Sequence, residues 1–372
     1  MAIVRLNNIS QQTLRWAVRR AGLSEDEGVN AFPLLRQWLD GDKLPTLAQL
    51  TKFASRFHVP LGYLFLRQPP HESIPFPVFR GEAGIDSRFD LNVYDTVMNI
   101  QSRQEWLEDY LKENNIDGCD LVGSINYRVP VNEAVALLRD TLKLEPRWAF
   151  GLASVSAAVG ILTDKLEQCG IFVAFNGVVG NNTHRVLDVN ECRGFALVNA
   201  SAPYIFVNSG DAKSAQMFTL VHETAHLMLG KSAGHAGTEI SLHDVTERYC
   251  DAVAAEFLVP QSDLRIIWNG DFKWMANRFK VSEIVIARRG HDLRLLSDTD
   301  YREFWQQYSH RPNRKGSSRG GDFYLSSLKR VGKTFAIHVR NAVNNRELSY
   351  TEAYRLTGLY GDTFQHFMTN NI

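Results

Sequence analysis

Two histidines separated by three residues, with a glutamate directly after the first, form the part of this chain best suited to chemistry: His222-Glu223-Thr224-Ala225-His226. On a helix, residues four apart lie on one face, so both imidazoles could bind one metal ion. Glu223 would then be placed to take a proton from a water at the metal's open position and pass it to a leaving amine. The spacing therefore predicts a zinc site that hydrolyses peptide bonds.

The sequence around this motif is typical of a buried helix. Residues 214–229 carry apolar side chains on most faces, which is the pattern of a helix inside a core. Two histidines and a glutamate in such a helix need partners or a metal, because burying polar groups without them is costly. The alternative is that hydrogen bonds alone satisfy the two histidines. The metal interpretation is favoured over this alternative.

A third ligand must come from elsewhere, because a catalytic zinc normally takes three protein ligands and keeps one position for water. One protease class places a glycine and a third histidine soon after the motif, but Leu229 and Ser232 stand at those positions here. That class is excluded. The remaining downstream candidates are His235, Glu239, His243, Asp244 and Glu247.

Glu247 stands out among these candidates because it opens a second apolar helix that ends before Pro260. Asp251 lies one turn later on the same face, where its carboxylate could accept the N–H of a ligand histidine and fix the tautomer. His235 and His243 lie in or beside a connection containing Gly and Ser, so they are predicted to be loop residues. One of them could instead polarise a substrate carbonyl.

Residues 218–227, the segment 247–251 and Leu258-Val259-Pro260 together resemble the ImmA/IrrE metallopeptidases, and residues 193–195 and 203–208 resemble the strands before their zinc helix. The resemblance covers residues 166–260. It implies a gluzincin-type site in which His222, His226 and Glu247 bind Zn2+ and Glu223 is the general base. The chain departs from the usual pattern in having Ala225 in place of Gly and Asp251 in place of Asn.

Composition limits the remaining possibilities. Lys+Arg and Asp+Glu are equal at 41 each, so no overall field indicates a nucleic-acid or membrane partner. The four cysteines lack CxxC spacing, which favours reduced thiols in a cytosolic protein. Neither a signal segment nor a membrane-spanning run is recognisable. The expectation is a cytoplasmic protein without a membrane partner.

The length of 372 residues predicts two or three units. We expect a mostly helical α+β protein with a gluzincin-like metallopeptidase core around a small β-sheet. The predicted division is a helix-turn-helix-like domain at 1–70, a proline-rich connector and helical segment at 71–150, the zinc domain at 151–265 and a helical extension at 266–372. In the extension, Thr351 is predicted to cap a helix.

The segment 38–46 and the helix behind it resemble the end of a phage-repressor (XRE-type) helix-turn-helix domain. A recognition helix would lie near residues 32–39, where only Arg36 and Gln37 suit base edges. Its surroundings carry cations that could meet phosphates, but nearly as many acids. A degenerate domain reused for protein contact or for packing is therefore favoured over DNA binding through residues 1–70.

The predicted function is that of a zinc endopeptidase cleaving a regulatory protein; the resemblance suggests a repressor or a partner encoded nearby on a mobile element. The alternative is an antitoxin-like regulator that binds DNA and a toxin partner, with a zinc site that is not catalytic. The effect of Glu223→Gln distinguishes the two. Sequence predicts neither the oligomeric state nor the identity of the substrate.

Overall fold

The computed structural model describes residues 4–72, 78–79, 90–235, 245–310 and 322–372, with the backbone alone at 78–79, Ala233 and His235. The described residues fall into two compact units, one within Met1–Pro75 and Arg88–Tyr94 and the other within Phe76–Ser87 and Asp95–Ile372. The predicted boundaries at 70, 150 and 265 stay predictions. Most of the proline-rich part of the connector lies outside the described residues.

The first unit is built from short helices, three of which have side-chain caps. They are α1 (Gln11–Arg20), α2 (Glu25–Ala31), α3 (Leu34–Leu39), α4 (Leu47–Arg56) and a 3-10 helix (Leu61–Phe65). Ser10 caps α1, and both Ser24 with Glu27 and Thr46 with Gln49 form capping boxes, which satisfy otherwise unpaired N–H groups. Fully buried Leu14, Leu35 and Phe53 contribute to a core that belongs to this unit alone.

The second unit contains most of α5 and all later helices. These helices are α5 (Leu91–Glu113), α6 (Val131–Leu142), α7 (Val155–Gln168), α8 (Lys213–Met228), α9 (Val245–Leu258), α10 (Gln261–Ile267), α11 (Phe272–Phe279), α12 (Glu283–Asp292), α13 (Asp298–Ser309), α14 (Phe323–Val331), α15 (Lys333–Asn344), α16 (Tyr350–Thr357) and α17 (Gly361–Asn370). The expected mostly helical α+β class is confirmed. The predicted cap at Thr351 is wrong, since Ser349 caps α16 by accepting the N–H of Glu352.

A five-stranded sheet supports the motif helix. Its strands are β1 (Val78–Phe79), β2 (Phe172–Phe175), β5 (Gly194–Leu197), β6 (Tyr204–Val207) and β7 (Ala233–His235), in the order β1-β7-β5-β6-β2. β5 runs antiparallel to both neighbours, whereas β2 is parallel to β6 and β1 is parallel to β7. The remaining strands, β3 (Val178–Val179) and β4 (Asn182–Val186), pair as a separate antiparallel hairpin.

The motif helix α8 lies in the centre of the second unit. It packs against α7 and α9 and against strands β5 and β6, and every residue from 219 to 228 is buried. Burial on all sides matches the apolar composition of this helix, because each face meets another element. Among the described residues, no helix combines the length and apolar character needed to cross a membrane.

Glu167, near the end of α7, predicts a pH dependence of stability. Burial raises the pKa of its carboxyl to about 7, while its Oε1 accepts the N–H of Thr334. The folded state therefore holds this proton more tightly than the unfolded state, and its contribution to stability is lost as pH rises from about 4.5 through about 7. Between pH 5 and pH 8 the parent should lose on the order of 1–3 kcal/mol of unfolding free energy that Glu167→Gln does not lose.

Urea unfolding of the parent and of Glu167→Gln at pH 5 and pH 8 measures this difference in unfolding free energy. The contributions of the other titrating groups are the same in both proteins and cancel. An equal pH response in parent and variant would contradict the raised pKa of Glu167.

Candidate metal centre

Helix α8 presents His222 and His226 on one face, as their spacing predicts. The Nε2 atoms of the two imidazoles are 3.1 Å apart, and both residues are buried. Two such nitrogens tolerate this distance only if one donates a proton to the other or if both face a cation. The local geometry of a single helix therefore creates one half of a candidate metal site.

Helix α9 supplies the other half through Glu247, which lies in its first turn and is buried. Glu247 Oε2 is 3.2 Å from His222 Nε2, and Oε1 is 3.0 Å from His226 Nε2. The packing of α9 on α8 thus brings the three predicted ligands together, and the ligand atoms they offer lie within 4.8 Å of one another.

These separations fit a zinc ion. Ligands that each lie about 2.0–2.1 Å from one tetrahedral zinc stand about 3.3 Å from each other, close to the distances that separate the imidazole nitrogens and carboxylate oxygens here. Two imidazoles and one carboxylate are also a known donor set of catalytic zinc sites. The residues present therefore fit the metal that the sequence predicts.

Asp251 lies one helical turn beyond Glu247 and contacts the other side of the first histidine. Its Oδ1 is 3.0 Å from His222 Nδ1, so Nδ1–H donates to the carboxylate and Nε2 is left directed at the cluster. Burial lowers the pKa of His222, but the hydrogen bonds to Asp251 and Glu247 outweigh it and raise the pKa to about 10. Surroundings that favour a proton on this imidazole also favour a metal cation in its place.

Glu223 is fully buried beside the cluster, and among the described residues neither of its carboxylate oxygens has a hydrogen-bond partner. Burial raises its pKa to about 8; His222 opposes this shift and the negative charge of Glu247 adds to it. A buried carboxylate without partners is costly to a fold. Such a group is typical of functional sites, because its raised pKa suits it to accept and return a proton near neutral pH.

Gly194 of β5 is a part of the site whose role the sequence did not predict. A Cβ built at this position would lie 2.5 Å from Thr219 Cγ2, 2.7 Å from the carbonyl oxygen of Phe206 and 3.7 Å from Glu223 Cγ. The missing side chain lets β5 lie directly against α8 at the level of Glu223. The only sequence feature that pointed to Gly194 is that residues 193–195 resemble a strand that precedes the zinc helix in the ImmA/IrrE metallopeptidases.

Gly194→Ala should destabilise the protein by about 1–3 kcal/mol, because the added methyl group overpacks a rigid strand–helix contact. Gly160→Ala is the matched control: it lies inside α7, and a Cβ there meets no described atom within 4 Å. The free energy of unfolding of the control should rise by up to about 1 kcal/mol, because alanine has less conformational entropy than glycine in the unfolded chain. Chemical denaturation measures both, and equal effects at the two positions would contradict the close contact at Gly194.

The other predicted ligand candidates are not brought into the cluster by any described contact. Glu239, His243 and Asp244 lie outside the described residues, and only the backbone of His235 is described, in β7 opposite Gly194. Cys192 is buried in this region, and burial raises the pKa of its thiol to about 12. All four cysteines are free, as their spacing predicts.

Comparison with known protein families agrees with this geometry. Residues 166–291, about a third of the chain, match a peptidase family (M78) described as the IrrE N-terminal-like domain. The match spans α8, α9 and the strands β2 and β5 to β7. Residues 331–370, which include α15 to α17, match a domain of unknown function (DUF8813). A comparison with curated proteins found no match.

Proposed function

We propose that this chain, whose residues 166–291 belong to the IrrE N-terminal-like family, is a zinc-dependent endopeptidase. One observation supports the proposal most strongly. Three ligand atoms from two separate helices converge beside a buried carboxylate that has no hydrogen-bond partner among the described residues. A purely structural zinc site has four protein ligands and no need of such a carboxylate.

Each residue of the cluster has a role in the proposed hydrolysis. His222, His226 and Glu247 hold the zinc, which supplies Lewis acidity toward the scissile carbonyl and increases the acidity of water. Glu223 accepts the proton of the attacking water and donates it to the leaving amine. Asp251 keeps His222 in the tautomer whose Nε2 can bind the metal. Burial of α8 keeps these groups in fixed positions.

The proposed substrate is a regulatory protein, either a repressor or a toxin-like partner. The family resemblance suggests this class, and the helices outside the matched domain provide surfaces that could select it. Co-expression with the product of each adjacent gene tests the proposal. A defined fragment should appear with the parent chain and should be absent when zinc is removed by a chelator. Fragments of the same length with and without zinc would contradict it.

We also propose that the first unit contacts protein rather than DNA. Two of the cations that could meet phosphates are partnered by carboxylates: Arg15 Nε lies 3.0 Å from Glu25, and Arg20 Nε lies 2.8 Å from Glu72. Arg36, the predicted base-reading residue, lies 3.6 Å from Asp26. These carboxylates would have to be displaced before phosphates could bind.

DNA binding by the first unit is measured by a mobility-shift assay with DNA from the chain's own promoter region. The salt concentration is varied from about 50 to about 300 mM, roughly the range over which phosphate contacts weaken. We expect weak binding or none. Tight binding that falls steeply with salt would show that the first unit contacts phosphates, and would favour the antitoxin-like alternative.

A further inference from the structure

A groove with a volume of about 340 Å3 lies on the second unit, away from the metal centre. Its walls come from α7, β2, the beginning of α8 and the junction between α14 and α15, and these elements are far apart in sequence. The volume is within the range of sites that hold small molecules. We call it the basic groove, because four cations line it: Lys213, Lys329, Arg330 and Lys333.

The positive charge in the basic groove is not balanced by ion pairs. Among the described residues, none of the four cations lies within 4.0 Å of a carboxylate oxygen in an ion pair. Lys213 Nζ donates to the neutral Gln216 Oε1 at 2.9 Å, and Arg330 Nη1 donates to the neutral Asn181 Oδ1 at 3.4 Å. Burial and the charge of Lys329 lower the pKa of Lys213, as expected where cations are crowded together.

Two acids also line the basic groove, but they do not cancel its charge. Asp164 is exposed on α7, and Glu167 is buried with its carboxylate toward the N–H of Thr334. Four cations against at most two carboxylates leave an excess of at least two positive charges. The first residues of α8 and α15 both lie in the groove, so the positive ends of both helix dipoles add partial positive charge there.

We propose that the basic groove binds a small molecule that carries a phosphate group and an apolar or aromatic ring. Phosphate is the anion that several converging Lys and Arg side chains recognise, through charge-assisted hydrogen bonds. The ring is inferred from the apolar part of the lining, which includes Val159, Phe175 and Leu328. A mononucleotide combines these features.

This inference does not depend on the proposed peptidase activity, because no metal ligand lines the groove. The groove does include Lys213, the first residue of α8, so its ligand would contact the helix that carries both histidines. A bound anion there should stabilise the second unit, since it neutralises cations that otherwise repel one another.

The experiment measures binding to the zinc-loaded full chain by isothermal titration calorimetry and thermal unfolding. The probes are AMP, ATP, inorganic phosphate, uncharged adenosine and a twelve-nucleotide oligothymidylate. We expect saturable binding of AMP or ATP, a higher unfolding temperature on binding, weaker binding of phosphate and none of adenosine. The double variant Lys329→Ala/Lys333→Ala should bind at least tenfold more weakly.

The matched control is Lys52→Ala/Lys273→Ala, which removes two exposed lysines outside the groove and should bind like the parent. Equal binding by parent and groove variant would overturn the proposal, as would the absence of binding by every mononucleotide and phosphate probe to folded parent protein. Binding of the oligonucleotide alone would also overturn it, because the ligand would then be a nucleic acid. The Glu223→Gln variant should bind these probes normally, so a failed peptidase proposal leaves this test intact.

Discussion

Glu223→Gln should retain one zinc ion per chain and cleave its protein substrate at least about a hundredfold more slowly than the parent. Glutamine has the shape of glutamate but cannot accept the proton of water and return it to the amine. The fold should tolerate the change, because it removes a buried carboxylate whose ionisation burial disfavours. Metal analysis combined with the rate of fragment formation measures both parts of this prediction.

Glu133→Gln is the control for this variant, since Glu133 is an exposed residue of α6 outside the cluster. It should keep both metal and rate. If Glu223→Gln cleaves as fast as the parent, Glu223 is not the general base. If the biological effect of the chain survives in Glu223→Gln while cleavage is undetectable, the antitoxin-like alternative with a zinc site that is not catalytic is favoured.

His226→Ala should reduce the zinc content from one ion per chain to less than a tenth of that, because two ligands from separate helices cannot hold zinc as three do. The variant should also unfold at a lower temperature than the zinc-loaded parent, since metal that binds only the folded state stabilises it by mass action. A chelator should lower the unfolding temperature of the parent toward that of the variant. Elemental analysis and thermal unfolding measure these effects.

Two further variants sharpen this result. His184→Ala removes an exposed histidine on β4 and should keep its zinc. Asp251→Ala removes the partner of His222 Nδ1 and should weaken zinc binding about 10- to 100-fold without abolishing it. An intact zinc content in His226→Ala would show that the ligand set proposed here is wrong.

The sequence by itself determined the parts of the site that depend on local geometry. The spacing of His222 and His226 places them on one helical face whatever surrounds the helix, and the structure has that helix at Lys213–Met228. Helix periodicity and capping also act over a few residues, as in α6 (Val131–Leu142) and at the Ser154 cap of α7.

Strands β3, β4 and β7 were not predictable in this way. Hairpin β3–β4 is largely exposed and lacks a regular alternation of apolar residues, and β7 consists of Ala, Gly and His. These strands exist because a neighbouring strand offers hydrogen bonds, and that neighbour can be distant along the chain: β7 pairs with β5, about forty residues earlier.

The tertiary structure alone decided which distant groups meet. Among five downstream candidates for the third ligand the sequence favoured Glu247, and the packing of α9 on α8 is what places its carboxylate oxygens within 3.2 Å of the two imidazoles. The basic groove arises in the same manner, since Lys213 and Lys333 are separated by more than a hundred residues and are joined by the packing of α14 and α15 against β2. Periodicity describes the face of one element; burial of apolar surface between elements selects which faces come together.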